Sequence, residues 1–402
     1  MENLRDKTLL IVSQNYASFV KDQVECLASF YKHIYVLAVT RPIAEISNFL
    51  PLHSLKPFRK KVKINVEGLP ENVTVFPTPL TYLPGKSSYK KVGKLHLKVV
   101  ERLIEKHDLQ FDIVHCHFTY SSGYVGEQLK KEFHIPLIIT AHGFDVYDLP
   151  FRDSFWQDRV ANTLESADRI ITVSKKNITC IRKIGVQIPV DLIPNGYQKQ
   201  NFFPMDKKSS RETLQLLEQS KIIVSVGNLV AIKGHRYLIE AMAQLVKLQD
   251  NLRCYIIGSG GLRKKLERQI DDNGLGGNVF LIGSIKHTEI APWLSAADMF
   301  VLPSLNEGNP TVLFESLACA CPFIGADVGG VSEIVIDEKL GYLFQPGNVK
   351  DMADVIGKAL SIKWDRSYIA DHSQRYSWEC IAKEIVKTHS TAFDSYLLQE
   401  GK

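Results

Sequence analysis

The stretch Val301-Leu-Pro-Ser-Leu-Asn-Glu-Gly-Asn-Pro-Thr-Val-Leu-Phe-Glu-Ser-Leu317 runs from an apolar, β-branched segment through a loop of turn formers into an amphipathic one. It reads as a strand ending near Pro303, followed by a helix with Asn309 as N-cap and Pro310 at the first helical position, where a missing N–H is no loss. The free N–H groups of such a helix favour phosphate. Glu307 and Glu315 are acceptors suited to the hydroxyls of a sugar or ribose. Each also has a plainer reading, Glu307 as a loop carboxylate favoured by the helix dipole and Glu315 as a surface helix residue.

Outward from this stretch, the strand, loop and helix rhythm repeats along the whole chain. Candidate strands are Leu9–Ser13, Ile34–Val39, Val73–Pro77, Ile113–Phe118, Leu137–Ala141, Ile170–Val173 and Val190–Ile193, then Ile222–Gly227, Cys254–Gly258, Val279–Gly283, Met299–Pro303, Phe323–Gly325 and Gly341–Phe344. Near-continuous apolar strands with helical patterns between them mean parallel sheets covered on both faces. The 402 residues accommodate two such domains. The turn-forming and polar stretch from Pro194 to Ser210 is expected to separate them. We expect an α/β chain of two Rossmann-like, doubly wound domains facing a central cleft, with ligands held by the loops that follow strands.

Three further post-strand loops carry candidate chemistry. Gly227-Asn-Leu-Val-Ala-Ile-Lys-Gly-His235 offers Lys233 as a point charge for phosphate and Gly234 for close backbone approach, although a loop lysine is ordinarily just solvated. Thr140-Ala-His-Gly-Phe-Asp145 places His142 and Asp145 at a strand end, where a satisfied structural histidine is equally admissible. Ser13-Gln-Asn-Tyr-Ala-Ser18 follows the first strand and holds no glycine, which argues against a dinucleotide fingerprint. Ile257-Gly-Ser-Gly-Gly-Leu-Arg263 fails the same fingerprint because Arg263 stands where its third glycine is needed. No P-loop, nucleophile elbow or zincin helix occurs, so the NTPase, hydrolase and metalloprotease readings weaken together.

Composition narrows the classes further. With 45% hydrophobic and 23% charged residues the chain is not disordered or fibrous, and no apolar run is long enough to span a bilayer. The apolar stretch Leu9 to Val12 is too short for a signal peptide, so a cytoplasmic address is expected. The seven cysteines are scattered and include no Cys-x-x-Cys, which fits packed thiols in a reducing compartment. His115-Cys116-His117 places two imidazoles on one face of a strand but lacks further ligands nearby, so no metal site is expected. The net charge of +5 is unevenly distributed: residues 1–205 carry 27 Lys and Arg against 20 Asp and Glu, the remainder 22 against 24. Ten of the basic residues lie between Lys56 and Lys98, facing only Glu67 and Glu71. They read either as a solvated basic loop or as a surface for an anionic membrane or acceptor. No nucleic-acid motif accompanies them.

The glutamate pair with seven residues between, Glu307 and Glu315, resembles the E-x7-E motif of retaining glycosyltransferase family four, the glycosyl transferases group 1 of GT-B fold. Further blocks agree in order and spacing: Ile193-Pro-Asn-Gly196, Val226-Gly-Asn with Lys233-Gly, Ile257-Gly-Ser-Gly, Gly329-Gly-Val-Ser-Glu-Ile334, Gly341-Tyr-Leu-Phe and His142-Gly. The resemblance implies an acceptor-binding domain over residues 1–198, a nucleotide-sugar-binding domain over 199–375 and a terminal helix over 376–402 returning to the first domain, with Trp378 as its packing anchor. It implies sugar transfer from a nucleotide diphosphate donor to a glycan or lipid-linked acceptor in cell-surface polysaccharide, glycolipid or glycoprotein synthesis, without a metal or other cofactor. Catalysis falls to His142 on the transferred sugar, Lys233 on the diphosphate and Glu307 on the hexose hydroxyls. Donor binding falls to Gly227, Asn228, Lys233, Gly283, Ser284, Ile285, Glu307, Gly308, Asn309, Pro310, Thr311 and Glu315, the last on the ribose. Asn15, Tyr16 and Asp145 are placed on the acceptor side. Asn228 stands where many members carry arginine, and Gln14-Asn-Tyr-Ala17 where many carry paired glycines. A nucleotide-sugar epimerase or glycan phosphorylase of the same fold is the alternative enzyme. A silent binding subunit would be expected to have lost these residues.

Overall fold

The computed structural model describes residues 4–48, 58–83 and 85–399, which form two compact units. The first comprises residues up to Pro194 together with the segment from Trp378, and the second runs from Asn195 to Ser377.

The first unit is a seven-stranded parallel sheet built from β1 (Thr8–Ser13), β2 (His33–Thr40), β3 (Val73–Pro79), β4 (Ile113–His117), β5 (Leu137–Ala141), β6 (Arg169–Thr172) and β7 (Val190–Leu192). Its spatial order is β3-β2-β1-β4-β5-β6-β7. Because side chains alternate along a strand, Leu9 and Ile11 of β1 enter one core while Leu10 and Val12 enter the other, and helices cover both faces. The terminal helix Trp378–Gln399 closes one of these cores, with Trp378 fully buried in the cluster that also holds Leu9, Tyr16 and Ile34.

The second unit is a six-stranded parallel sheet of β8 (Lys221–Val226), β9 (Leu252–Ile257), β10 (Val279–Gly283), β11 (Met299–Leu302), β12 (Phe323–Ala326) and β13 (Gly341–Phe344), ordered β10-β9-β8-β11-β12-β13. Strand order reverses between β1 and β4 in one sheet and between β8 and β11 in the other. Loops leaving the carboxyl ends of such neighbours diverge and open a binding crevice at that point. The second sheet's switch point therefore receives the loops that follow β8 and β11.

Two features near residue 200 differ from the sequence reading. The break between units falls at Pro194/Asn195 because Asn195 is already bound into the second unit. Its N–H donates to Asn309 Oδ1 and its Nδ2 to Asn309 O, both at 2.8 Å, and the Tyr197 N–H donates to Tyr376 O at 3.1 Å. Lys207-Lys-Ser-Ser210 is helical instead of loop. Asp206 caps the helix Lys207–Thr213 by accepting from the Ser209 N–H at 2.8 Å, and Arg211 anchors it to Asp298 at 2.9 Å. An aspartate followed by polar residues carries the same letters in a turn and at an N-cap. No helix among the described residues is long and apolar enough to cross a membrane.

Candidate active site

In the second unit, glycines draw four loops together. Gly234 has φ +68°, and a Cβ there would lie 1.8 Å from the Pro303 carbonyl oxygen, so the loop after β8 packs directly on the end of β11. The Leu305 N–H donates to Ile232 O at 2.8 Å across the same contact. Gly258 lies against Gly227, where a Cβ would meet the Gly227 oxygen at 2.0 Å, and Gly329 lies against Glu307 O at 1.9 Å by the same measure. Gly258 and Gly260 thus serve close backbone approach, with the Leu229 N–H donating to Ser259 O at 2.9 Å.

This packing brings Lys233 and Glu307 into an ion pair, Nζ to Oε1 at 2.6 Å, and the Ser304 hydroxyl donates to the same oxygen at 2.6 Å. The Lys233 side chain keeps 26% of its exposure and Glu307 11%, so the pair is largely but not wholly buried. Glu315 is buried, which replaces the surface-residue reading. It projects from the helix Thr311–Ala318 and accepts from His287 Nε2 at 2.9 Å, while His287 meets the Phe202 ring edge-on at 5.0 Å. His287 escaped the sequence reading. It lies just beyond Gly283-Ser-Ile285, and its only signal is that a buried carboxylate needs a donor.

The helix itself starts one residue later than expected. Pro310, at φ −72° and ψ 121°, is the N-cap, and Thr311 is the first helical residue. Asn309 does not cap, because its side-chain oxygen is taken by the Asn195 N–H. The Thr311 and Val312 N–H groups have no intrahelical acceptor. Gly308 O accepts from the Gly330 N–H at 2.9 Å. Asn228 is exposed, and Gly283, at φ +93°, precedes the exposed Ser284, whose hydroxyl donates to Ser259 Oγ at 2.8 Å. Ile285 packs against the core of this unit. Behind the loop after β8, burial pushes His235 down to about 4, and its Nε2 lies 3.3 Å from Gly227 O.

In the first unit, His142 follows β5 and is half-buried. Its Nε2 meets His117 Nδ1 at 2.9 Å, and the rings of Phe19 and Phe118 flank it at 4.9 and 4.6 Å. Phe118 adopts φ +73°, a conformation bulky residues rarely accept, and so carries local strain. Burial, reinforced by His117, holds His142 well below the ordinary histidine range.

Two expected acceptor-side residues are structural instead. Asp145 is buried and accepts from the N–H groups of Thr119, Gly143 and His142 at 2.9, 2.9 and 3.1 Å; burial pushes its carboxyl up and these donors oppose the shift. Tyr16 is fully buried in the core, and its backbone pairs with Lys63 and Asn65. Asn15 is half-buried, with its side chain accepting from the Ala17 N–H at 3.2 Å. Polar letters in a loop do not reveal which of them turn inward to satisfy the backbone. His115 and His117 are buried and hydrogen-bonded to Thr140, His389 and His142, while Cys116 points into the opposite core. Among the described residues no group of three or more His, Cys, Asp or Glu is arranged to hold a metal ion.

Residues 57–200 match the family described as Glycosyltransferase Family 4, and residues 206–375 that described as Glycosyl transferases group 1. The chain is 27% identical over 348 residues to a Bacillus subtilis (strain 168) protein named as a teichuronic acid biosynthesis glycosyltransferase, covering 86% of this chain and 83% of that one. Sucrose-phosphate synthase from Thermosynechococcus elongatus superposes with a TM-score of 0.76 at 22% identity, over 97% of this chain and 100% of that one. Anabaena HepE in complex with UDP-glucose superposes with a TM-score of 0.71 at 20% identity, over 96% of this chain and 100% of that one.

Proposed function

Because the chain belongs to the family-four, group 1 glycosyl transferases of GT-B fold and is therefore a glycosyltransferase, we propose that it moves a sugar with retention from a nucleotide diphosphate donor to a glycan or lipid-linked acceptor of the cell surface. The observation that carries the reading is the Lys233–Glu307 pair at the switch point of the second sheet. A lysine there neutralises the charge that develops on a departing diphosphate, which is the electrostatic task a metal ion performs in other phosphate chemistry. Glu307, held by Lys233 and Ser304, is placed to accept from sugar hydroxyls. Glu315 on the neighbouring helix takes the ribose, and the Thr311 and Val312 N–H groups supply phosphate donors. His142 serves the transferred sugar. The first unit receives the acceptor. The UDP-glucose bound by the structurally similar HepE makes a UDP-sugar the first donor to try.

Glu307→Ala should abolish transfer while UDP still raises the melting temperature, since a ligand at a hundred times its Kd stabilises by about 2.7 kcal/mol. Transfer at the wild-type rate in this variant would refute the role of Glu307. Turnover should persist in excess chelator, and the anomeric configuration of the product, read by NMR, should match that of the donor.

We further propose that the first unit docks on anionic membrane from the cytoplasmic face. Lys91, Lys94 and Lys98 form an exposed stripe on the helix Lys86–His107, at the i, i+3, i+7 spacing of a single face. Phe144, Phe151 and Phe155 are 45%, 52% and 38% exposed, with Arg152 over Phe144 and Lys90 over Phe155. Exposed rings interleaved with cations suit an anionic interface. Arg59 turns inward to Ser47 and takes no part, and Lys56 lies outside the described residues. Co-sedimentation with phosphatidylglycerol vesicles should fall steeply with salt. Equal binding to neutral vesicles would remove the electrostatic reading.

A further inference from the structure

His117 and His142 face each other through one nitrogen each, and this contact fixes where their protons lie. Nδ1 of His117 is 2.9 Å from Nε2 of His142, the ring centroids are 5.2 Å apart and the planes differ by 18°. A centroid separation that long with so short a nitrogen contact means the rings meet edge to edge, nearly coplanar, in a true hydrogen bond. Burial pushes His117 down to about 3 and holds His142 well below the ordinary range, so both rings are neutral at physiological pH. One of the two facing nitrogens therefore carries a proton and the other a lone pair.

The far side of His117 decides which. Its Nε2 is buried and has no hydrogen-bond partner among the described residues. A buried N–H without an acceptor is among the rarest features of folded proteins, whereas an unused lone pair is better tolerated. His117 Nε2 is therefore bare, and its proton sits on Nδ1 and is donated to His142. One face of His117 is covered by His115, stacked at 4.7 Å and itself bonded to Thr140 and His389. His142 is flanked by Phe19 and Phe118.

We propose that His117 is a positioning residue that locks His142 in the Nδ1–H tautomer, so that His142 presents a hydrogen-bond donor to its ligand. In aqueous neutral imidazole the Nε2–H form is available as well, and a ring free to choose would offer donor or acceptor. The lock selects a ligand oxygen that accepts, such as a sugar hydroxyl or ring oxygen, and disfavours one that must donate. That the oxygen belongs to a transferred sugar rests on the proposed function. The tautomer assignment rests on the first unit alone.

Two measurements separate these claims. With [15N]histidine-labelled wild-type protein at pH 7.5, two-bond proton–nitrogen correlations should give both His117 and His142 a protonated Nδ1 and an unprotonated Nε2. A protonated Nε2 on His142 overturns the proposal, and no variant or substrate is needed to see it. For a second reading, His117→Leu removes the donor and His117→Asn restores an N–H near the Nδ1 position. In folded His117→Leu, the His142 signals should move toward the Nε2–H form. Its kcat/KM for sugar transfer should fall about ten- to a hundredfold, the scale seen when the partner that orients a metal-bound imidazole is removed. UDP affinity should be unchanged, and the asparagine variant should recover most of the loss. An unchanged His142 tautomer in the leucine variant, or no recovery in the asparagine variant, refutes the positioning role. If the tautomers come out as assigned and no nucleotide sugar is turned over, the functional reading fails and the positioning of His142 stands.

Discussion

Acidification from pH 8 to 5.5 should unload the first unit more than the second. His96, His117 and His389 are fully buried in it, and burial lowers each from 6.5 to about 3. Below pH 6.5 the unfolded chain takes up a proton at each of these rings while the folded unit does not, so stability is complete above 6.5 and drains away as pH falls toward 3. At pH 5.5 each ring costs about 1.4 kcal/mol, and the three together about 4 kcal/mol, a large part of the 5–15 kcal/mol typical of a folded domain. His115 and His142 are shifted in the same direction and add to the loss. In the second unit His235 and His372 are lowered, a smaller burden. The four tryptophans make the two units separable. Trp156 and Trp378 lie in the first unit and Trp293 and Trp364 in the second, so a Trp293→Phe/Trp364→Phe protein reports the first alone. Urea unfolding followed by its fluorescence should give at least about 4 kcal/mol less stability at pH 5.5 than at pH 8. In a His96→Leu background the difference should shrink by about 1.4 kcal/mol. A difference below about 1 kcal/mol would refute the premise that these rings stay neutral when folded.

Three further outcomes follow from the second unit. Gly234→Ala drives a methyl into Pro303 O at a positive φ and should cost on the order of 3 kcal/mol, read as a lowered melting temperature; an unchanged one would refute the packing. His287→Ala leaves the buried Glu315 without its ring donor and should destabilise the free protein by about 1–3 kcal/mol, a deficit that saturating UDP reduces. Equal deficits with and without UDP in calorimetry would show that Glu315 does not reach the nucleotide. Glu307→Gln should bind UDP at least as tightly as wild type while losing sugar transfer, and weaker UDP binding by titration calorimetry would contradict an exchange of partners at Glu307.

The thirteen strands among the described residues were legible because a doubly covered parallel sheet puts apolar letters on both faces of its central strands, as Leu9 to Val12 and Met299 to Leu302 illustrate. The loops bearing Lys233, Glu307 and Glu315 were legible through their place after strands and the ordered blocks around them. What escaped depended on which way a polar side chain turns. Asn309 carries a textually good N-cap signal, yet it spends its oxygen on Asn195, more than a hundred residues away in sequence. Asp145 and Tyr16 look like ligands in a loop, but one satisfies three backbone N–H groups and the other fills the core under Trp378. His287 and the Nδ1 of His117 matter only through partners that sequence spacing does not bring near.

Each candidate polar group is already partnered within its own unit: Lys233 by Glu307, Glu315 by His287 and His142 by His117. On the proposed donor placement, binding is an exchange of partners instead of a gain of new ones, since buried charges without partners are costly. A diphosphate that draws Lys233 away leaves the Glu307 carboxylate, only 11% exposed, with the Ser304 hydroxyl alone. Nucleotide by itself therefore incurs a penalty at Glu307. A sugar attached to that diphosphate brings hydroxyl donors to the same carboxylate and removes the penalty, so the sugar strengthens binding beyond its own contacts. Neutralising Glu307 as glutamine abolishes the penalty and the sugar's advantage together, which is why the variant should favour UDP and fail with the intact donor.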